Sequence, residues 1–412
     1  MINIKTRKKD IIFLFFFALI LRITIYSLFY FYPEIHNLNF TPADFGTYDS
    51  AARSIIEQSI INQNAAFLRA MPLYQFTVAF FYIIFGYEKI PVFQIQIFQA
   101  IVGSLAVVLL YLISEILFSN RKISVISALI LSIYPHHILL GAHVLTEINY
   151  VTLLLLSIYL ILRFINNASS KIALLTGISL GLTIMQRPVI LLFFLFSLAY
   201  ILWYSKNKIY IIKKEIIILI IFFLILTPLS IRNKISHGIY FPLVSTGSAS
   251  LYQGNSENAT GGYGGDVLLG IDYIDLENTQ NLKELELAEV YKKEAIKAIK
   301  NNPIKFIERI PVKWWNMIRP NYANASFINN LITIPIYLFV VIFSIIGMIY
   351  SRKHKYVNLL YIYIIYHFII HGIYIANIRY RISFEPILII FAAYGVYKLL
   401  VKINFINIEV NK

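Results

Sequence analysis

Long apolar runs separated by short polar segments dominate this chain. A helix needs about 20 apolar residues to cross the hydrocarbon core of a bilayer, and about ten runs approach that length. They lie near residues 11–32, 91–118, 123–141, 144–164, 171–185, 188–204, 211–231, 328–350, 356–375 and 383–401. The run 72–86 is shorter and predicts an interfacial or re-entrant helix. The pattern predicts an all-α polytopic membrane protein with about ten transmembrane helices.

The composition agrees with this pattern. Of 412 residues, 58% are hydrophobic and 14% are charged, whereas soluble globular proteins have about 45–50% apolar and about 25% charged residues. These values exclude a soluble domain, a disordered chain and a collagen-like repeat. The chain has no cysteine, which excludes a disulfide scaffold, thiol chemistry and cysteine-ligated metal sites.

The positions of the charges explain the net charge of +15. A strongly basic protein binds nucleic acid or is a membrane protein that follows the positive-inside rule. Here the basic residues cluster before the first predicted span and after the second, sixth, eighth and tenth spans. All of these segments would lie on the same face of the membrane. We therefore expect a multi-pass protein of the bacterial plasma (inner) membrane with both termini cytoplasmic, and no nucleic acid partner.

The outer face receives two long segments and a short loop. This arrangement predicts an N-terminal transmembrane module over 1–231 with a first outer loop at 33–90, an outer-face region with interfacial helices over 232–327, and C-terminal transmembrane helices over 328–412. Residues 245–266 are rich in Ser, Gly and Asn and predict a loop that covers a site or serves as a linker. Chemistry is expected on this face, where polar residues lie at the mouths of the spans.

Asp44 lies at a predicted helix start in the first outer loop. Thr41 as N-cap, Pro42 at the first helical position and Asp44 in the first turn form a capping pattern. The alternative is functional, since a carboxylate held ionised at the positive end of a helix can serve as a general base.

Four arginines lie at other ends of the predicted spans on the outer face. Arg69, Arg187, Arg379 and Arg381 lie beside predicted span ends, the last two around Tyr380. Such residues snorkel to lipid headgroups or pair with a nearby acid such as Glu385. Arginine forks also fit phosphate oxygens, so the cluster predicts an anionic ligand.

Metal binding has little support in the pattern. His143 and Glu147 are four residues apart and could share a helix face, but two ligands do not make a site. Glu147 is also favourable simply as an acid at a helix N-terminus. We expect no cofactor and no metal ligands, with a divalent metal as the alternative.

Taken together, these segments resemble bacterial GT-C glycosyltransferases, specifically the protein-mannosyltransferase and aminoarabinose-transferase relatives that use polyprenyl-phosphate sugars. The matching segments follow in order along most of the chain: Asp44 with Tyr48 and Ala51–Ala52, Arg69 with Pro72-Leu73-Tyr74 and Phe85-Gly86, Thr146-Glu147, Gly181-Leu182 to Arg187-Pro188, Thr227 to Asn233, Gly247, Gly254-Asn255, Asn302-Pro303 to Lys313, and Arg379 to Ile382. Two positions depart from relatives: Phe45 follows Asp44 where many have a second acid, and aminoarabinose-type relatives carry Lys where Arg187 stands. These departures leave the substrate class open.

The resemblance implies a GT-C-like bundle and a membrane glycosyltransferase. Its partners would be a polyprenyl-phosphate-linked sugar donor, an unknown acceptor and membrane lipids. Asp44 would be the catalytic base that accepts a proton from the acceptor hydroxyl. Substrate binding would involve Tyr48, Arg69, Glu147, Arg187, Arg379, Tyr380 and Arg381, with the arginines at the donor phosphate.

Two other functions remain as alternatives. An O-antigen polymerase or ligase also has many spans and arginine-bearing outer loops, but would use diphosphate-linked glycans. A lipid-linked-sugar flippase or transporter would place ionisable residues near the bilayer midplane and show internal repeats. Arg22 and Glu115 lie inside predicted spans, whereas the candidate site residues lie at the span mouths, which favours chemistry at the outer face.

Overall fold

The computed structural model describes residues 4–32, 40–42, 44–61, 64, 66–240, 244–257, 259–260, 282–320 and 327–403. Its first half contains helices α1 (Ile4–Phe31), α2 (Phe45–Glu57), α3 (Ala66–Arg69), α4 (Pro72–Phe85), α5 (Val92–Phe118), α6 (Arg121–Ile133), α7 (Pro135–Ala142), α8 (Glu147–Asn166) and α9 (Ser170–Gln186). After a 3-10 turn, Pro188–Ile190, come α10 (Leu191–Tyr204), α11 (Lys208–His237), α12 (Thr246–Asn255), α13 (Glu284–Asn301), α14 (Pro303–Ile318), α15 (Phe327–Ser351) and α16 (Val357–Ile373). A second 3-10 turn, Ile378–Ser383, leads into α17 (Glu385–Lys402).

The fold is an all-helical membrane bundle, as the apolar pattern predicted. In the described part of the chain, four helices are long and apolar enough to cross a membrane alone: Arg7–Phe31, Val92–Phe118, Glu147–Asn166 and Asn330–Ser351. The pair α6 and α7 makes a fifth if the two are counted as one span bent by 45°. Shorter apolar helices are Pro72–Phe85, Ser170–Gln186, Pro188–Tyr204 and Val357–Ile373. The predicted number of about ten spans is therefore not confirmed.

Proline begins the helix after each of two breaks. Pro135 lacks an N–H and begins α7, inside the predicted run 123–141, where α6 and α7 meet at a bend of 45°. Pro188 begins a new turn directly after Arg187, between the predicted runs 171–185 and 188–204. Arg187 therefore lies in the short break between α9 and that turn.

Arg22, which the sequence placed inside the first span, binds at the first of these breaks. It is fully buried on α1, and its guanidinium donates to the carbonyls of Ser132 at 3.3 Å and Leu131 at 3.4 Å. Pro135 cannot donate to the Leu131 carbonyl four residues earlier, so Arg22 supplies donors that the helix lacks. The same guanidinium lies 3.1 Å from His137 Nδ1. Arg22 therefore stabilises the bend between α6 and α7.

Residues 232–327 differ in part from the prediction. Residues 246–255 form helix α12 where a loop was expected, and residues 261–266 of that loop lie outside the described residues. Helix α11 runs across the expected boundary at 231/232. Helix α14 exposes Ile304, Ile307 and Trp315, while Arg309 and Lys313 on its other side are buried. An exposed apolar face with its cations turned inward is what a helix at a membrane interface requires.

The C-terminal helices α15 and α17 pack with their backbones in close approach. A Cβ added to Gly347 would lie 1.8 Å from the Phe391 carbonyl oxygen, and one added to Gly395 would lie 2.3 Å from that of Phe343. Small residues allow this packing between helices in a membrane. Because the obstacle is backbone, a side chain at either position requires the helices to separate.

We expect Gly347→Ala to destabilise the protein by about 3 kcal/mol, the upper end of the cost of overpacking a core. The measurement is the melting temperature in detergent micelles. The matched control is Gly46→Ala, since a Cβ at Gly46 in α2 would meet no atom within 4 Å. Equal melting temperatures of the two variants would contradict the close packing of α15 and α17.

Candidate active site

Asp44 lies at the start of α2, although the helix begins later than predicted. The sequence favoured Thr41 as N-cap, whereas the structure has Asp44 in that position and Phe45 as the first helical residue. The Asp44 side chain is 43% exposed and accepts from Arg379 Nη1 at 2.8 Å. Asp44 is thus in contact with solvent and with the loop between α16 and α17.

Glu147 links that arginine to a second one. It is the first residue of α8 and is completely buried. It accepts from Arg379 Nη2 at 2.6 Å and from Arg187 Nη2 at 2.8 Å. Asp44, Arg379, Glu147 and Arg187 therefore form a continuous chain of ion pairs, which we call the charge chain.

Both arginines of the charge chain stay protonated. Burial alone would lower the pKa of Arg187, but Glu147 beside it raises that pKa above its ordinary value. Burial also lowers the pKa of Arg379, but Glu147 and Asp44 together raise that pKa above its ordinary value. The Arg187 Nε donates to Thr146 Oγ1 at 2.8 Å, which fixes the direction of its guanidinium.

Two of the predicted tyrosines border the charge chain. Burial raises the pKa of the Tyr48 phenol, and the positive charge of nearby Arg187 opposes that effect. Tyr48 is therefore neutral and packs edge-on against Tyr74. Tyr380 stacks on His371 with the ring centroids 4.8 Å apart.

Arg381 and Arg69, also predicted to bind substrate, have other partners. Arg381 is 1% exposed, and its Nε lies 2.8 Å from Glu385 Oε1. His136 binds the other oxygen of that carboxylate at 2.6 Å. This geometry favours the alternative partner, Glu385, over a donor phosphate. Arg69 pairs with Glu284 of α13 at 2.7 Å and so links the first outer segment to the region before α14.

A largely apolar cavity of about 520 Å³ opens beside the charge chain. Arg187 and Tyr380 line it at the polar side. Other lining residues come from α8, α10, α12, α16, the 3-10 turns and the segments just before α12 and just after α16. They include Tyr150, Val189, Leu192, Val244, Thr246, Gly247, Ser248, Tyr366, His367, Ile370, His371, Ile375, Ile382 and Ser383. Its volume falls within the about 300–1,000 Å³ typical of ligand pockets.

Reasoning from the sequence missed the histidines of this cavity. His367 and His371 are four residues apart on α16 and have their ring centroids 4.3 Å apart. Their spacing was visible in the sequence, but an apolar helix gave no sign of which face lines a cavity. Among the described residues there is no group of three or more His, Asp or Glu positioned to hold a metal ion.

Comparisons with known proteins agree with this architecture. A family model described as dolichyl-phosphate-mannose-protein mannosyltransferase matches residues 69–231. No curated protein matches the sequence significantly.

Solved structures share a similar fold at low sequence identity. The apo oligosaccharyltransferase of Archaeoglobus fulgidus is 14% identical with a TM-score of 0.55, over 95% of this chain and 51% of that one. The same organism's oligosaccharyltransferase AglB, in complex with an inhibitory peptide and a dolichol-phosphate, is 14% identical with a TM-score of 0.50, over 88% and 47%. This chain thus spans about half the length of those proteins. ArnT from Cupriavidus metallidurans is 11% identical over 88% of this chain and 74% of its own, with a TM-score of 0.36.

The cavity is bordered by α12, which is held at both ends by hydrogen bonds. At its start, Ser245 N donates to the Leu68 carbonyl at 2.7 Å. At its end, Lys313 Nζ donates to Asn255 Oδ1 at 2.8 Å and to the Ile373 carbonyl of α16 at 3.2 Å. Burial, with the nearby Arg309, lowers the pKa of Lys313 to about 7.

This pKa predicts a pH-dependent stability. The folded protein binds the Lys313 proton less tightly than the unfolded chain, whose lysine has the ordinary pKa of 10.5. Folding therefore becomes more favourable as pH rises from about 7 towards about 10.5, and the gain is absent below about 7. We expect the stability of the wild type relative to Lys313→Met to increase by about 2 kcal/mol between about pH 6 and about pH 9.

The measurement is thermal unfolding of both proteins in detergent at the two pH values. Lys300→Met is the control, because Lys300 is exposed on α13 and its loss should give no pH-dependent difference. A pH-independent difference for Lys313→Met would show that Lys313 keeps an ordinary pKa.

A second prediction concerns the centre of the charge chain. Glu147→Gln leaves Arg187 and Arg379 without their shared carboxylate, and breaking a buried ion pair costs about 3 kcal/mol or more. We expect a corresponding fall in the melting temperature. Glu289→Gln removes a 60% exposed partner of Lys292 and should change stability by less than about 0.5 kcal/mol. If both variants melt like the wild type, Glu147 does not hold the two arginines.

Proposed function

We propose that this protein is a membrane glycosyltransferase that moves a sugar from a polyprenyl-phosphate donor to an acceptor hydroxyl. The reaction takes place on the outer, periplasmic face of a bacterial inner membrane. The observation that carries the proposal is the charge chain, which connects the solvent-exposed Asp44 to a largely apolar cavity lined by Arg187. The match of residues 69–231 to the mannosyltransferase family model supports the reaction class.

The cavity suits the lipid end of such a donor. Most of its lining is apolar or aromatic, and part of it comes from α10 and α16, which are among the apolar helices of the bundle. The first isoprene units would lie against these walls, and the phosphate would reach Arg187. An arginine fork binds phosphate oxygens with charge-assisted hydrogen bonds. One of the similar structures is a complex with a dolichol-phosphate, a ligand of this chemical class.

The proposed chemical step is a single displacement at the anomeric carbon. The acceptor oxygen forms a bond to that carbon while the bond from the carbon to the phosphate oxygen breaks. The electron pair of the broken bond stays on the phosphate, whose charge Arg187 stabilises. The hydroxyl proton passes to the Asp44 carboxylate, which is 43% exposed and therefore accessible to an acceptor.

The other residues of the charge chain act as positioning groups in this proposal. Arg379 holds the Asp44 carboxylate, and Glu147 holds both Arg379 and Arg187. We assign Arg69 and Arg381 to positioning as well, because their guanidinium groups pair with Glu284 and Glu385.

The arrangement favours this function over a transporter. A transporter places its ionisable residues near the bilayer midplane. The charge chain instead lies at helix ends, with Asp44 before α2, Glu147 at the start of α8 and Arg187 after α9. The basic short loops, which set the orientation by the positive-inside rule, belong to the opposite face.

We expect Asp44→Asn to lower the rate of sugar transfer by about 10²–10⁴-fold, the usual contribution of a general base. The assay follows transfer from a polyprenyl-phosphate sugar in detergent or proteoliposomes. Donor affinity should change little, since Asp44 does not line the cavity.

Asp49→Asn is the matched control. Asp49 lies on the same helix and pairs with Arg53 at 3.0 Å, away from the charge chain. Near-normal transfer by correctly folded Asp44→Asn would overturn the assignment of the base. Transfer from diphosphate-linked glycans alone would favour the polymerase or ligase alternative.

A further inference from the structure

The first turn of α12 faces the same cavity as Arg187. Thr246, Gly247, Ser248 and Ser250 all line the cavity, and α12 begins at Thr246. The N-terminus of a helix carries a partial positive charge and has backbone N–H groups that point away from the helix. These two properties make helix N-termini suitable for binding phosphate.

The residue that precedes this turn does not cap it. The Ser245 hydroxyl lies 3.0 Å from the Leu68 carbonyl oxygen and 2.7 Å from Glu284 Oε1, and it makes no capping hydrogen bond to α12. An N-cap side chain normally accepts from an N–H of the first turn. In α12 that hydroxyl instead fixes the position of the helix, so the first turn is not blocked by its own N-cap side chain.

Gly247 leaves room for a ligand at this turn. A Cβ built on Gly247 would meet no atom of the described residues within 4 Å, so none of them fills the space beside this turn. A residue without a side chain lets a phosphate oxygen approach the backbone closely.

A buried polar group in the cavity wall gives independent evidence of a ligand. His367 is only 3% exposed and lines the cavity. Its Nδ1 lies 3.4 Å from Ser383 Oγ, while its Nε2 has no hydrogen-bond partner among the described residues. Buried polar atoms are nearly always hydrogen-bonded, so a polar ligand group in the cavity accounts for this atom.

We propose that the N-terminal turn of α12 binds the phosphate of the polyprenyl-phosphate donor together with Arg187, with His367 Nε2 as a further hydrogen-bonding group. This inference rests on the proposed function, which assigns only Arg187 to the phosphate. Two anchors of different kinds would then hold one phosphate: the guanidinium of Arg187 and a backbone turn. The fastening of α12 at Ser245 and Asn255 keeps the turn in place.

The test compares Gly247→Asp with Gly247→Asn. The two side chains have the same size, and the open space at Gly247 accepts either, so only the added negative charge differs. The probes are farnesyl phosphate and farnesol, which share the lipid chain, titrated into the purified full-length protein in detergent. We expect Gly247→Asp to weaken binding of farnesyl phosphate about tenfold or more and Gly247→Asn less than about threefold, with farnesol binding unchanged.

Each outcome separates the inference from the proposed function. If the wild type binds farnesyl phosphate no better than farnesol, the assignment of the cavity as the donor site is contradicted. If the wild type prefers the phosphate but Gly247→Asp and Gly247→Asn bind it equally well, the role of α12 is overturned and the donor site stands. Ser248→Asp and Ser248→Asn repeat the comparison one residue further along, should Gly247→Asp fail to fold.

Discussion

The site depends on one buried carboxylate. Glu147 is completely enclosed at the start of α8 and receives a guanidinium from each side. An isolated charge in this environment would cost several kcal/mol, and the two arginines offset that cost. Because Arg187 follows α9 and Arg379 precedes α17, the same carboxylate fixes three parts of the bundle relative to one another.

The charge chain also connects two environments of different polarity. At one end Asp44 meets solvent, and at the other Arg187 lines a cavity with mostly apolar walls. A lipid-linked sugar has the same division, with an apolar chain, a charged phosphate and a polar sugar. One helix break contributes to this arrangement, since α9 ends at Gln186 and Pro188 begins a new turn directly after Arg187.

Much of the fold was predictable from apolar periodicity, and part of the site from the arginine and acid positions. Asp44, Glu147, Arg187 and Arg379, named from the sequence, are brought together by the structure. Arg381 illustrates the limit, because its neighbour Arg379 has almost the same sequence context. The 3-10 turn Ile378–Ser383 directs one guanidinium to Glu147 and the other to the buried Glu385.

The sequence by itself determined the membrane class, the helical architecture and the residue types available for chemistry. These follow from local composition and from charges that are expensive in an apolar chain. Only the tertiary structure decided which charges pair, that residues 246–255 form a helix beside the cavity, and that His367 lines it. Such facts depend on contacts between segments as distant as Asp44 and Arg379. No local pattern specifies the direction of a side chain across that separation.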